Sequence, residues 1–321
     1  MKILNSAIIG CGNIGALFDS PRTHDILTHA HAYTAHPGFK LVGFVDQDCK
    51  KALHAARKWN GKAYKTIKDL FLAQDVDVVS ISTTTKSHYA VMREISKYPI
   101  KGGIVEKPVA ETSRQTLELL RFNFFKTKPF LVNYSRRYAR EFQILKKSIL
   151  HGHYGAFICG NGYYGKGLIN NGSHLLDLLL YLGFTIRRIV SQSPRFIDYK
   201  KNDPSPSFML TVNNKNPISI YAISSRQYSI FEIDLLFEKG RVRILDSGLY
   251  IEEYKIKSDP TFKVYKSLRL EQATKTSINR ALYFTVNNLY GIITGKEDAL
   301  CTIKDALVTQ KVCEKIQNQK K

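Results

Sequence analysis

The sequence predicts an α/β fold in two parts: an N-terminal parallel sheet covered by helices, then an α/β region built on an open, mainly antiparallel sheet. Three observations carry that prediction. Apolar runs short enough to be single buried strands alternate with helical stretches through about Leu120. A glycine turn, Gly10-Cys11-Gly12-Asn13-Ile14-Gly15, follows the first of those runs. From about Phe130 the segments become short and partly alternating, with polar turns between them. Solid apolar strands between helices belong to a parallel sheet buried on both faces, whereas alternation marks antiparallel strands with one wet face.

Taken in order, Ala7-Ile8-Ile9 reads as the first strand and 41–45 as the second, which stops on Asp46. A Gly-x-Gly-x-x-Gly pattern alone is weak. Strand, glycine turn, helix, strand and terminal acid in that order make a dinucleotide-binding unit. The glycines let the backbone turn tightly and approach a pyrophosphate, which then lies at a helix N-terminus. A helix over about 48–59 carries the apolar stripe Ala52, Leu53, Ala56 and Trp59. A strand over 76–81 ends in the polar turn Ser82-Thr83-Thr84-Thr85, and a helix over about 87–97 follows. Gly103-Ile104-Val105 is the next strand; it ends in Glu106-Lys107-Pro108, and Thr112 or Ser113 caps the helix beyond. Asp46, Thr83 and Lys107 thus fall at the carboxyl ends of strands, the functional edge of such a sheet.

The acid normally comes roughly 20 residues past the motif, yet Asp46 stands 31 residues after Gly15. Residues 18–28, with Pro21 and several polar side chains, therefore read as an inserted loop near the cofactor, either a lid or a plain surface insertion. Beyond Phe130, strands are expected over 208–212, 218–223, 231–237 and 242–244, with turns at Asn213-Asn214, Lys239-Gly240 and Ser247-Gly248. Asp203-Pro204-Ser205-Pro206-Ser207 reads as a loop, and a closing helix over about 298–316 starts beside the capping residue Thr302. The domain boundary is placed at 123/124, with 1–123 binding the dinucleotide and 124–321 holding the rest.

Composition excludes several classes. At 321 residues, 44% hydrophobic and 23% charged, the chain has the make-up of a soluble globular protein. No apolar run approaches the ~20 residues that span a bilayer, so no membrane partner is expected. Five scattered cysteines with no CxxC pair argue against metal or disulfide roles and fit a reducing cytoplasm. The net charge of +21 invites a nucleic-acid reading. Its lysines and arginines are spread along the chain without any recognition motif, which favours a generally basic proteome or an anionic substrate over nucleic acid. His24, His29, His31 and His36 fit no standard metal spacing, so no metal is expected.

The glycine turn, Asp46, Glu106-Lys107-Pro108, Asn133-Tyr134-Ser135-Arg136-Arg137 and Gly172-Ser173-His174-Leu175-Leu176-Asp177 occur in an order that resembles the glucose–fructose oxidoreductase / inositol dehydrogenase (Gfo/Idh/MocA) family. The resemblance covers nearly the whole chain and is strongest over 5–183. It implies a Rossmann domain followed by an α/β domain for substrate binding and oligomerisation, in a homodimer or homotetramer. It also implies hydride transfer between nicotinamide and a carbinol carbon of a sugar, sugar nucleotide or cyclitol. Alcohol oxidation requires a group that takes the hydroxyl proton as hydride leaves, and reduction returns it.

Lys107 and His174 are the candidates for that proton, one at a strand end and one at a helix start. His174 shares a helix face with Asp177 and Tyr181. Family members usually carry an aspartate four residues before this histidine, where the chain has Asn170. An amide still holds the ring but supplies no charge to stabilise its cation. The resemblance places Gly10, Gly12, Asn13, Ile14, Asp46, Thr83, Thr84, His88, Glu106, Lys107 and Arg137 around the cofactor, and His31 where the family has a histidine opening its first helix. Asp46 accepts bonds from ribose hydroxyls and repels a 2′-phosphate, which favours NAD; Lys50 and Lys51 soften that preference and leave NADP open. Tyr163-Tyr164 reads either as a sugar-stacking pair or as a structural turn. A non-catalytic dinucleotide-binding regulator of the same fold is the competing class, and Asn170 is its best support.

Overall fold

The computed structural model describes residues 2–213 and 215–318, so Met1 and Asn214, half of the expected Asn213-Asn214 turn, lie outside the described residues. The chain forms two compact units, 1–138 with 279–308, and 139–278 with 309–321.

The first unit begins with β1 (Leu4–Ile9), a π-helical turn at Asn13–Leu17 and α1 (His29–Ala35). It continues through β2 (Phe39–Val45), α2 (Cys49–Trp59), β3 (Lys62–Tyr64), α3 (Ile67–Ala73), β4 (Val78–Ile81) and α4 (Thr85–Ile95). Then come β5 (Gly102–Val105), α5 (Ser113–Leu119), α6 (Asn123–Thr127) and β6 (Phe130–Val132). These six strands form one parallel sheet in the order β3-β2-β1-β4-β5-β6. The order reverses beside β1, so the crevice for a ligand opens at the carboxyl ends of β1 and β4. Local chemistry sets the helix ends: Asp48 accepts from the Lys50 N–H at 3.0 Å to start α2, and Asn60 ends it in the left-handed region at φ 56°. Thr112 and Gln115 form a reciprocal cap on α5. The expected boundary at 123/124 falls inside this unit, because β6 pairs with β5 and extends the sheet.

The second unit contains α7 (Arg140–Leu150), β7 (Phe157–Tyr164), a π-helical turn at Leu168–Gly172 and α8 (Ser173–Tyr181). Seven strands follow: β8 (Ile186–Lys200), β9 (Asp203–Val212), β10 (Asn216–Ala222), β11 (Phe231–Phe237), β12 (Gly240–Leu245), β13 (Tyr250–Ser258) and β14 (Lys266–Lys275). With β7 they make an eight-stranded sheet, antiparallel except where β10 meets β7. Leu175, Leu176, Leu178 and Leu179 of α8 join Phe208, Leu210, Ile218, Ile220, Ile233 and Leu235 in its core. Two helices close the chain, α9 (Ala281–Ile293) in the first unit and α10 (Ile303–Asn318), through which the division between units passes.

Residues 203–207, read from sequence as a loop, are instead the start of β9. Their prolines are tolerated because β10 pairs only from Phe208 onward, so this stretch is a one-sided ladder against β8. Helix α9 has no counterpart in the sequence reading. Its Tyr, Phe, Thr, Val, Asn and Gly residues are poor helix formers, and the burial of Leu282, Val286 and Leu289 holds it.

Candidate functional site

In the first unit the glycine turn is shaped by contacts that leave no room for side chains at two of its three glycines. Gly10 has φ +97°, and a Cβ there would lie 2.5 Å from the Thr83 nitrogen. A Cβ on Gly15 would lie 2.1 Å from the Gly10 oxygen. Ser82 Oγ donates to that same oxygen at 2.8 Å and ties the end of β1 to the end of β4. Gly12 differs: a Cβ on it would meet nothing within 4 Å. Its position faces open space where a ligand's backbone contact would be, and no side chain caps the Asn13–Leu17 turn that follows.

Asp46 stands one residue beyond β2 with both carboxylate oxygens engaged. Oδ2 accepts from the Cys11 N–H at 2.8 Å and Oδ1 from the Asp48 N–H at 2.9 Å. The carboxylate is therefore rigidly placed against the glycine turn, and each oxygen keeps a lone pair. A cavity of about 570 Å³ opens here, within the range of small-molecule sites. It brings together Gly10, Gly12, Asp46, Thr83 and Thr84 of the expected set, along with Lys51 and Lys65. The Thr83 hydroxyl is buried without a hydrogen-bond partner among the described residues. An open glycine, an uncapped helical turn, a fixed carboxylate and an orphaned hydroxyl together fit a dinucleotide.

Asn13 and Ile14 form the start of the helical turn beside this cavity. His88, buried on α4, lies between two backbone carbonyls: Nδ1 is 2.9 Å from Pro108 O and Nε2 3.0 Å from Thr83 O. Burial lowers its pKa despite those acceptors, and the ring lies between the segments that follow β4 and β5. Arg137 is buried in an ion pair with Asp305 at 3.3 Å and reaches Leu300 O at 3.4 Å, contacts that tie it to the returning segment of this unit.

Glu106 and Lys107 follow β5, and the Lys107–Pro108 peptide is cis. Glu106 Oε1 accepts from Asn133 Nδ2 at 2.7 Å and lies 3.0 Å from His29 Nε2. Burial alone would raise the Glu106 pKa, but these bonds and the nearby His29 and Lys107 charges outweigh it and hold the carboxyl below its ordinary value. His29 Nδ1 and Asn133 Oδ1 are buried and unpartnered among the described residues. His29, not His31, is the first residue of α1. His31 lies two residues deeper, its Nδ1 2.9 Å from Asp19 and its ring 5.3 Å from Trp59.

Asp19 also closes the inserted loop. Its Oδ2 accepts from the Leu27 and Thr28 N–H groups at 2.6 and 3.2 Å, and its Oδ1 from the Thr28 hydroxyl at 2.5 Å. Beside them, the Ile26 N–H donates to Asn279 O at 2.9 Å. The insertion is thus pinned at its base within this unit. Its base delivers His29 to Glu106.

In the second unit, Asn170 belongs to the Leu168–Gly172 turn and His174 to the first turn of α8. Two acids that the sequence reading did not single out clamp this segment. Asp203 accepts from the Ile169 and Asn170 N–H groups at 2.7 and 2.8 Å. Asp198 accepts from the Lys166 N–H at 2.9 Å, from Ser205 Oγ at 2.8 Å and from the Ser225 N–H at 3.0 Å. Burial works to raise the Asp198 pKa, but those donors prevail and lower it. Asn170 Nδ2 donates to Lys166 O at 3.0 Å. Asp177 on α8 accepts from the Thr309 hydroxyl at 3.0 Å, a structural bond. Tyr163 and Tyr164 lie in strand β7, not in a turn. Tyr164 is buried with its hydroxyl on Pro206 O, while Tyr163 stacks 5.8 Å from Tyr221. Among the described residues no group of His, Cys, Asp or Glu is placed to hold a metal ion, and no helix is long and apolar enough to cross a membrane.

The fold and the cavity are those of a dinucleotide-binding unit. Residues 4–134 match the Gfo/Idh/MocA model, described as an oxidoreductase family with an NAD-binding Rossmann fold. YceM of Salmonella typhimurium, provisionally named an oxidoreductase, is 28% identical over 149 residues, 46% of this chain. The matched region spans 43% of that relative, less than half its length. Over the whole chain the likeness to solved structures is one of fold. UDP-N-acetylglucosamine 3-dehydrogenase GnnA from Acidithiobacillus ferrooxidans aligns at TM-score 0.79 and 17% identity, covering 98% of this chain and 97% of that one. The transcriptional regulator Gal80p from Kluyveromyces lactis aligns at 0.78 and 15%, covering 98% and 89%.

Proposed function

We propose that this protein is an NAD(P)-dependent oxidoreductase that moves a hydride between nicotinamide and a carbinol or carbonyl carbon of a sugar, sugar nucleotide or cyclitol. The observation that carries the reading is the Glu106–Lys107 pair at the carboxyl edge of the parallel sheet, with Glu106 held ionised by His29 and Asn133. Bound nicotinamide supplies the hydride acceptor or donor. In this reading Lys107 and His174 take the hydroxyl proton during oxidation and return it during reduction, and Asn170 positions the imidazole. Gly10, Gly12, Asn13, Ile14, Asp46, Thr83 and Thr84 hold the dinucleotide, with His88, Glu106 and Arg137 supporting the strand ends that carry it. The substrate is a small molecule, and the protein acts in the cytoplasm as a homodimer or homotetramer.

The test is Lys107→Ala, assayed by nicotinamide absorbance against a panel of UDP-sugars, free sugars and inositols. Turnover is expected to fall by roughly 10²- to 10⁴-fold, the range for loss of a proton-transfer group, while NADH affinity changes little. Wild-type-like turnover in the variant would remove Lys107 from the mechanism.

A regulatory reading is favoured by one feature. Asn170 takes the place of the family's charged residue, and its amide nitrogen is committed to a backbone carbonyl. In that case the wild-type protein would bind NADH and turn over nothing in the panel.

A further inference from the structure

The second unit carries a cavity of its own, about 630 Å³, between β8 and α10, and it shares no lining residue with the cavity beside Asp46. Among the described residues β8 stands at one end of the eight-stranded sheet and pairs with β9 alone. Residues 186–189, consecutive on β8, line the cavity. Successive side chains of a strand point to opposite faces, so a cavity that meets such a run lies along the strand's edge. Ile186, Ile189 and Val312 give it an apolar wall that packs into the core of this unit. Arg187, Arg188, Lys311 and Lys315 also line it, and Glu314 is the one carboxylate among its described lining residues. Arg187 is oriented by its Nε, which donates to Asn213 O at 3.2 Å. Arg188, Lys311 and Lys315 are exposed and have no ion-pair partner among the described residues.

Two ordinary causes account for part of this cluster. A cation in the last turn of a helix suits the helix dipole, which accounts for Lys315 of α10. Charge on an edge strand discourages pairing with other sheets, which accounts for an arginine on β8. Neither cause gathers both sets around one concavity. Lys311 and Lys315 stand four residues apart on α10, where like charges repel, and the arginines of β8 line the same space. An anion relieves that repulsion. A phosphate carries up to about two charges on three acceptor oxygens. It can therefore accept from ammonium groups on the helix and from a guanidinium on the strand at once. We infer that this cavity binds a phosphate-bearing small molecule, with the phosphate held by Arg188, Lys311 and Lys315 and any organic part laid against Ile186, Ile189 and Val312. The site lies within one unit and does not depend on the dinucleotide reading.

The experiment is calorimetric titration of the full-length protein with phenyl phosphate, inorganic phosphate and phenol, each with and without excess NADH. Phenyl phosphate is neither a sugar nor a nucleotide, so it probes the phosphate and the apolar wall alone. The expected wild-type dissociation constant for phenyl phosphate is about 1 mM or tighter, unchanged by NADH, with no binding of phenol. Lys311→Gln/Lys315→Gln should weaken it by about tenfold, and Arg188→Gln alone by about threefold, each with an unfolding midpoint close to wild type. Arg188→Gln, on a different element, carries the test should the double variant not fold. Phenyl phosphate binding more tightly than inorganic phosphate would assign the site to a phosphate ester, and equal binding would assign it to free phosphate. A wild type that binds neither would overturn the inference, as would variants of unchanged affinity. Competition by NADH would overturn it too, by putting the phosphate in the cavity beside Asp46.

Discussion

In the first unit the glycine turn leaves the start of the Asn13–Leu17 helical turn without a side-chain cap, whereas in the second unit Asp203 occupies the N–H groups at the start of the Leu168–Gly172 turn. Both segments lead a chain out of a strand into a helical turn, and both expose amides that need acceptors. The first leaves that need for a ligand and surrounds it with glycine. The second satisfies it internally, with a carboxylate from β9, and so fixes the backbone that carries Asn170 and His174. One opening is built to bind, the other to hold a side chain in place. The difference follows from the neighbours: Gly12 has empty space beside it, whereas a Cβ on Gly167 would lie 2.2 Å from Asp203 Oδ2.

Breaking the internal clamp should have the largest effect on stability. Asp203→Ala leaves the Ile169 and Asn170 amides without their acceptor, and unsatisfied buried donors cost about 1–3 kcal/mol each. A loss of about 3 kcal/mol is expected, read as a lower denaturant midpoint. Asp203→Asn, which keeps one acceptor oxygen, should recover part of it. An unchanged midpoint for Asp203→Ala would show that the clamp does not hold the segment.

The open end should respond in the opposite way. Gly12→Ala meets no atom and has an ordinary φ of −76°, so its unfolding midpoint should stay within about 0.5 kcal/mol of wild type. NADH binding should weaken by about tenfold, because the methyl enters the cavity. Gly15→Ala sharpens the contrast: its Cβ would collide with the Gly10 carbonyl, and it should destabilise by about 3 kcal/mol. If calorimetry showed Gly12→Ala binding NADH normally, the open glycine would not be a ligand contact.

Acid should separate the two regions least. Glu106 in the first unit and Asp198 in the second both have pKa values below those of the unfolded chain. Their stabilisation is therefore complete above the ordinary carboxylate range and is lost as pH falls through the lower folded values. His88, lowered by burial, adds a loss in the same direction below its usual value near 6.5. Thermal unfolding measured from pH 7 to pH 3 should show stability falling steadily. A rise in stability toward acid would contradict the bonding of the two carboxylates and the burial of His88.

The first unit was the more legible in sequence. Two of its helices announce themselves through Asp48 and Thr112 at their starts, and its strands through solid apolar runs, because those signals act over three or four residues. Long-range contacts were invisible. Nothing in the sequence couples His29 to Glu106, and the two histidines of His29-Ala30-His31 differ only in which acid they reach, Glu106 for one and Asp19 for the other. In the second unit, 203–207 looked like a loop because proline is a local breaker. The strand forms there because only one neighbour demands N–H donors, a fact of sheet position.

The sequence by itself determined the class of protein: the glycine turn, Asp46 and Glu106-Lys107-Pro108 state a dinucleotide fold through backbone requirements that are local. Only the tertiary structure decided what surrounds those residues. It placed Lys51 and Lys65 with Asp46 in one cavity, left the Thr83 hydroxyl for a ligand, and set Asp203 on the amides ahead of His174. The reason is that turns and caps are made between residues a few positions apart, whereas cavities, ion pairs and clamps join elements whose separation along the chain carries no record of their meeting.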